Sequence, residues 1–313
     1  MNTDPVPTDP LPTDPVPTDP VPTDPVSPAA VGLAAWRLPV EGAEAAVRYA
    51  ARLGADGVQL DLGGPRRGPR ADFRGTAEAA RQASAETGVV LLAMTANTLN
   101  DIGLTAPRHT ADGTRVRTTL VRLLDAAGAY GVPLIFVPSF RRSAIETPQD
   151  LRDTARVLAW AATEAAARGL VLASENALTA RDAAALVEAV ANPGFRLLLD
   201  PLNLALAGRD PVRWAAELGP HLADQLHLKD GRPDTAASLA LGTGEARLDD
   251  VLAAVAAHGP APRALVLEND HRDGDTARAL RDLAWARSRS GAPAPGPGAA
   301  PDPAPTHPNE ATP

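Results

Sequence analysis

The feature that most constrains this chain is an eightfold alternation between helical stretches and short apolar runs. Each helical stretch is rich in Ala and Arg and ends near a Gly, the usual residue just past a helix because it accepts a left-handed backbone. The apolar runs are continuous, which is typical of parallel strands buried on both faces. The predicted strands are Val31–Leu33, Gly57–Leu62, Val89–Met94, Val132–Pro138, Leu170–Ala173, Phe195–Leu199, Asp224–Leu228 and Ala264–Leu267.

Eight strand–helix alternations favour an α/β fold closed into a (β/α)8 barrel over an open, doubly wound sheet. A barrel of this kind needs about 250 residues and carries its active site at the C-terminal ends of its strands. The predicted helices are Ala43–Leu53, Thr76–Thr87, Thr114–Ala129, Pro148–Arg168, Ala180–Ala191, Pro211–Leu218, Asp249–His258 and Asp275–Ser288.

Two proline-rich segments flank the predicted barrel domain, which spans residues 29–290. Residues 1–28 repeat the pentapeptide TDPVP, and residues 291–313 are rich in Pro and Ala. Dense proline removes backbone donors and favours extended chains, so both segments are predicted to be disordered tails. The tails carry seven of the eight net negative charges, which leaves −1 for residues 29–291. A nearly neutral barrel gives no electrostatic argument for binding nucleic acid or an anionic membrane.

Composition excludes several further classes of protein. The chain has no Cys, which rules out disulfides, thiolate metal sites and a Cys nucleophile and fits a cytoplasmic protein. No apolar run reaches the roughly 18 residues of a membrane span. The acidic, proline-rich N-terminus also differs from a signal peptide. Gly63 and Gly64 follow the second predicted strand but lack the rest of a nucleotide-binding loop.

Each of the last four predicted strands ends on a potential metal ligand. Burying an acidic side chain after an apolar run is costly unless that side chain is paired or binds a metal. Three carboxylates and one imidazole suit Mn²⁺ or Mg²⁺ and accept Co²⁺. Any one of the acids alone could instead form a structural ion pair. The predicted ligands are Glu175, Asp200, His227 and Glu268.

Four short strings in the second half of the chain carry a family resemblance. They are DPLNL at 200–204, HLKDG at 227–231, LGTGE at 241–245 and LVLE at 265–268. With them the chain resembles the xylose-isomerase-like family of sugar phosphate isomerases and epimerases, over residues 30–288. The resemblance implies a TIM barrel and one divalent metal ion, Mn²⁺ ahead of Mg²⁺ or Co²⁺, on the same four ligands. It also implies that Glu175 and Glu268 are the paired acid and base.

The resemblance further implies isomerisation or epimerisation of a keto sugar, a sugar phosphate or a related polyol. The metal would stabilise the enediolate that forms when a proton leaves the carbon beside the carbonyl. One glutamate removes the proton, and the other returns it to the opposite face, or one of them moves it between carbons. Family members also include dehydratases and lyases that share this step. A lyase acting on a keto-inositol or sugar acid therefore stays an open alternative.

Three polar residues near the ligands are predicted to bind substrate: Asn203, Lys229 and Arg232. Asn203 stands where many epimerases of the family have His, and its amide keeps a donor and an acceptor but cannot titrate. Arg232 is a substrate-binding candidate by family analogy, and its alternative is a solvated loop arginine.

Four other residues receive weaker predictions. Arg141 and Arg142 could clamp a phosphate or carboxylate, although surface arginines are the favoured interpretation. Trp36 either lines a sugar pocket or packs in the core. His271 either edges the site or, as the favoured interpretation, is an exposed loop residue.

Two other function classes compete with the isomerase. A nuclease of the apurinic-endonuclease type needs several histidines in the first half of the chain and a basic surface, but only His109 lies there. A barrel without catalysis could serve as a binding module, with the proline-rich arm as its interaction element. The expected partner is a small carbohydrate rather than nucleic acid or a membrane, and a homo-oligomer is possible.

Overall fold

Eight parallel strands close in sequence order into a barrel, with β1 paired to β2 on one side and to β8 on the other. The computed structural model describes residues 28–232 and 238–291. The predicted (β/α)8 barrel is confirmed, while the predicted tails fall almost entirely outside the described residues. The strands are β1 Ala30–Ala34, β2 Gly57–Asp61, β3 Val90–Thr95, β4 Leu134–Pro138, β5 Val171–Glu175, β6 Phe195–Leu199, β7 Leu222–Leu228 and β8 Ala264–Leu267.

Helices surround this barrel, and all eight predicted helices are present, seven of them with shifted ends and one, Pro211–Leu218, with the predicted bounds. Within residues 28–232 and 238–291, no helix has an apolar stretch long enough to cross a membrane. The helices are α1 Ala43–Arg52, α2 Arg74–Thr87, α3 Leu99–Ile102, α4 Ala111–Tyr130, α5 Pro148–Ala166, α6 Ala180–Val190, α7 Pro201–Leu206, α8 Pro211–Leu218, α9 Leu248–His258 and α10 Thr276–Arg287.

Two short helices, α3 and α7, were not predicted. Helix α7 begins with an N-cap whose side chain accepts a hydrogen bond from the backbone N–H of Asn203. That cap is Asp200, and Pro201 occupies the first helical position. An Asp followed by Pro is a recognised helix start, so the sequence signal was present. This helix start holds Asp200 at the mouth of the barrel, directly after β6.

The lower interior of the barrel is filled by Leu92, which points inward from β3. Gly32 in β1 and Gly57 in β2 leave the space that this side chain occupies. A Cβ atom at these positions would lie 2.5 Å and 2.7 Å from Leu92 side-chain atoms. Close packing therefore seals the bottom of the barrel and leaves the C-terminal mouth as the open end.

Candidate active site

The four predicted ligands meet at the C-terminal mouth of the barrel. One ligand atom from each residue can be chosen so that all four lie within 4.8 Å of one another. Glu175 ends β5, Asp200 follows β6, His227 lies in β7 and Glu268 follows β8. All four side chains are buried. The barrel therefore delivers one candidate ligand from each of four successive strands to a single buried point.

The charge and hydrogen bonding of this cluster fit a divalent cation. Its three carboxylates face one buried ammonium group, that of Lys229, whose Nζ lies 2.8 Å from Asp200 Oδ2. Beyond this ion-pair contact, Asp200 Oδ2 and His227 Nδ1 have no well-oriented hydrogen-bond partner among the described residues. With His227 neutral, the cluster carries a net charge of −2, or −1 if the half-buried Arg37 beside Glu268 is included. The surplus negative charge, together with the absence of an oriented hydrogen bond to Asp200 Oδ2 and His227 Nδ1, suits a hard cation.

The two glutamates lie in unequal surroundings. Glu268 Oε1 accepts hydrogen bonds from Trp36 Nε1 at 2.9 Å and from Arg37 Nη2 at 3.1 Å. Its Oε2 accepts from Lys229 Nζ at 3.1 Å. Glu175 Oε1, by contrast, accepts from the amide of Asn203 at 2.9 Å. Burial opposes ionisation of Glu268, but the nearby positive charges of Lys229 and His227 hold its pKa well below the usual range.

Burial and charge also shift the other groups of the cluster. Burial raises the pKa of Asp200 to about 6, although the charge of Lys229 opposes this shift. Burial alone would lower the pKa of His227, but the negative charges of Glu175 and Glu268 outweigh it and raise the pKa to about 10. Without a cation His227 therefore holds a proton, which a metal ion must displace before it can bind.

Two glutamines that the sequence analysis missed orient His227. The backbone carbonyl of Leu92 accepts from Gln225 Nε2 at 2.9 Å, and Gln225 Oε1 accepts from Gln59 Nε2 at 2.9 Å. Gln59 Oε1 is then the acceptor for His227 Nε2, at 2.8 Å. Because the carbonyl at the start can only accept, the whole chain has one direction and fixes Nε2 as the protonated nitrogen. Nδ1 is left facing the carboxylates, in the manner of an oriented metal ligand.

A cavity of about 510 Å³ opens above the cluster. Asn203 and Lys229, predicted to bind substrate, line this cavity together with both glutamates. Trp36 also lines it and donates to Glu268, and it packs against the core of the barrel as well. Arg232, the third predicted substrate-binding residue, is exposed and is not among the residues that line the cavity.

The prediction for His271 was wrong. The side chain is buried, because the backbone N–H of His271 donates to the carbonyl of Arg37 at 2.9 Å and folds the loop after β8 against the loop after β1. Its Nε2 lies 3.5 Å from Asp282 in α10. Burial lowers the pKa of His271.

Asp230 explains the Gly-rich LGTGE string as a structural turn. Its carboxylate accepts hydrogen bonds from the backbone N–H groups of Gly242 and Gly244 at 2.9 Å each and of Ala246 at 3.2 Å. A Cβ atom at Gly244 would lie 2.2 Å from Asp230 Oδ1, so a larger residue does not fit there. The string therefore wraps around a carboxylate of its own chain.

Comparison with known proteins agrees with this geometry. A family model described as xylose isomerase-like TIM barrel matches residues 47–289. A 2-epi-5-epi-valiolone 7-phosphate 2-epimerase from an Actinoplanes species is 53% identical over 258 residues, which cover 82% of this chain and 93% of that protein.

Solved structures share the fold at lower identity. A xylose isomerase domain protein from Planctomyces limnophilus has a TM-score of 0.68 at 21% identity, covering 84% of this chain and 98% of that one. An L-ribulose 3-epimerase has a TM-score of 0.63 at 19% identity, covering 82% of this chain and 92% of that one. The family match and the Actinoplanes relative confirm the prediction of a sugar isomerase or epimerase enzyme. The chain belongs to the xylose isomerase-like TIM barrel family.

Proposed function

We propose that this enzyme is a divalent-metal-dependent epimerase of a phosphorylated polyhydroxy ketone. The observation that carries the proposal is the buried cluster in which Glu175 and Glu268 share one point with Asp200 and His227. The Actinoplanes relative supports the substrate class, since it is named for epimerising 2-epi-5-epi-valiolone 7-phosphate. That compound is the first substrate to test.

Glu175, Asp200, His227 and Glu268 would hold the metal, with Mn²⁺ expected ahead of Mg²⁺ and Co²⁺. When bound, the cation supplies a Lewis acid that polarises the ketone and stabilises the negative charge of the enediolate. The chain itself supplies the proton transfers and the orientation of the substrate.

The position of the two glutamates around the barrel suits epimerisation. Strands β5 and β8 are separated by β6 and β7, so the two carboxylates reach a bound ketone from different sides. Glu268 is held ionised by its positive neighbours, and we assign to it the removal of the proton beside the carbonyl. Glu175 then returns a proton to the opposite face of the same carbon.

Three further side chains would orient the substrate. Lys229 Nζ and the Asn203 amide line the cavity beside the carboxylates, and they can exchange a present contact for a substrate hydroxyl group. Trp36 lines the cavity with its flat indole ring, and the indole N–H already donates to Glu268.

The test combines metal analysis with isotope exchange. The purified protein is analysed for bound metal, and 2-epi-5-epi-valiolone 7-phosphate is then turned over in D₂O and followed by NMR. We expect stoichiometric Mn²⁺, Mg²⁺ or Co²⁺ and deuterium at the carbon whose configuration changes. Epimerisation without deuterium would point to hydride transfer, and loss of water would indicate a dehydratase. Absence of both metal and turnover would overturn the proposal.

A further inference from the structure

The rim of the active-site cavity is rich in arginine. Four of these arginines follow β2 or β4, on the half of the barrel that carries none of the four candidate metal ligands. The cavity is continuous from the carboxylate cluster to this rim, because residues of both regions line it. The arginines that line the cavity are Arg37, Arg66, Arg67, Arg70, Arg141 and Arg272.

Half of these arginines are already held by carboxylates. Arg70 forms a two-pronged pair with Asp72, at 3.0 Å and 2.7 Å, and Asp72 also contacts Arg122. Arg272 forms the same kind of pair with Asp270, at 2.7 Å and 2.5 Å. Arg37 is bound to Glu268, one of the candidate ligand carboxylates. These contacts direct the three guanidinium groups to side chains of the protein.

Arg66, Arg67 and Arg141 differ, because they have one carboxylate among them. Arg67 donates to Asp101 through Nε at 2.9 Å and through Nη2 at 3.0 Å. Arg141 Nη2 lies 2.9 Å from Asp101 Oδ1. Arg66 makes no ion pair with any residue that the structure describes. Arg67 and Arg141 share the charge of Asp101, and the pKa of Asp61, which lines the same cavity, is raised by burial. The rim therefore keeps positive charge that no ion pair cancels.

The backbone also holds two of these arginines in an unusual conformation. Arg66 has a φ of 62° and Arg141 has a φ of 52°, both in the left-handed region. Only two other non-Gly residues of the described chain have a positive φ. Such conformations are rare for residues with a side chain and concentrate at ligand-binding sites. Here they present two arginines of separate loops to one cavity.

We propose that Arg66, Arg67 and Arg141 bind the phosphate group of the substrate while its ketone end lies at the carboxylate cluster. This inference rests on the proposed function in taking the substrate to be a phosphate ester. A phosphate monoester carries a charge close to −2 at neutral pH, which is complementary to the positive charge left at the rim. Planar guanidinium groups bind phosphate oxygens in pairs.

Kinetics with matched substrates tests the proposal in the metal-loaded enzyme. The variants are Arg66→Ala, Arg141→Gln and the double variant, and Arg142→Ala is the control. Arg142 is the neighbour of Arg141 but pairs with Asp112 outside the cavity. For the phosphorylated ketone we expect kcat/KM to fall about 10- to 100-fold for each charge removed, mostly through KM. For the ketone without phosphate, kcat/KM should stay within about twofold, and the control should match the wild type.

Binding of inorganic phosphate, measured by calorimetry, separates this proposal from the proposed function. If phosphate binding weakens in the double variant while no epimerisation is found, the phosphate subsite stands and the proposed reaction fails. If epimerisation proceeds with equal kcat/KM in the wild type and the double variant, the subsite is overturned and the reaction stands. Equal losses for both ketones would assign the arginines a purely structural role. Activation of the unphosphorylated ketone by added phosphate in the wild type, and its loss in the double variant, would support the subsite, because free phosphate then takes the place of the phosphate group of the substrate.

Discussion

The two halves of the barrel mouth are built differently. The half formed by β5 to β8 places one candidate metal ligand at or near the end of every strand, and all four are buried. The half formed by β1 to β4 contributes no member of that cluster, and its arginines extend from loops. One half is therefore acidic and anchored to strands, whereas the other is basic and carried by loops.

This difference separates the two tasks of the enzyme. Strand ends are held by the hydrogen bonds of a closed sheet, so they can hold reacting groups to a fraction of an ångström. Loops vary more readily and suit the recognition of one substrate among many. We infer that the acidic half performs the proton transfers and that the basic half selects the substrate, and the two halves should respond differently to substitution.

The largest expected effect is in the acidic half. Glu268→Gln removes one charge from the candidate metal ligands and one of the two proton-transfer groups. We expect kcat/KM to fall by about 10³-fold or more and the metal content to drop below stoichiometric. The measurements are steady-state kinetics and elemental analysis. Glu217→Gln, in an exposed ion pair on α8, should match the wild type. Full metal content with activity within tenfold of the wild type would remove Glu268 from the site.

A second substitution separates substrate orientation from metal binding within the acidic half. Lys229→Met removes the ammonium group that contacts Asp200 and Glu268. Metal content should be retained, because a competing positive charge is lost, whereas kcat/KM should fall about 100-fold through loss of a donor to substrate oxygen. Elemental analysis and kinetics on the same sample check both outcomes. Loss of metal from this variant would show that Lys229 supports the ligands instead.

The acidic half was also the more predictable from sequence. An acid or His after an apolar run is conspicuous, since burial there is costly without a partner, and this identified Glu175, Asp200, His227 and Glu268. The start of the short helix α7 was also encoded locally, in Asp200 and Pro201, but it was not predicted. Burial of His271 depends on how two loops fold against each other, and local sequence does not encode that contact. Arg141 was interpreted as a surface residue, and Arg66 and Arg67 received no prediction, because the importance of these arginines depends on which carboxylates are already paired.

A third prediction concerns the glutamine chain that orients His227 in the acidic half. Gln59→Met removes the acceptor that fixes the orientation of His227, with little change in volume. Metal affinity should weaken about 10- to 100-fold, which is typical when the group that orients a ligating His is lost. Metal titration against a competing chelator measures this. Gln82→Met, on the exposed face of α2, is the control, and circular dichroism checks folding. Unchanged affinity in a folded Gln59→Met protein would show that the glutamine chain is only packing.

The smallest expected effect is a change in metal affinity of about tenfold per pH unit, and it compares the two halves directly. Below its raised pKa of about 10, His227 carries a proton in the metal-free site, and metal binding must release it. Metal affinity should therefore rise with pH by about tenfold per unit between about pH 7 and pH 9 and level off above the pKa. Below about pH 6 the dependence should steepen, because Asp200, with a pKa of about 6, then carries a second proton.

Phosphate binding at the rim should behave differently over the same range. The arginines stay charged throughout, and a phosphate monoester is already a dianion above its second pKa of about 6. Chelator-competition titrations of Mn²⁺ and calorimetric titrations of a simple phosphate monoester, each at about pH 7, 8 and 9, compare the two slopes. A pH-independent metal affinity would mean that His227 does not exchange a proton for the metal. A steep phosphate slope would mean that the anion contacts titrating groups of the acidic half, and the division between the two halves would then be wrong.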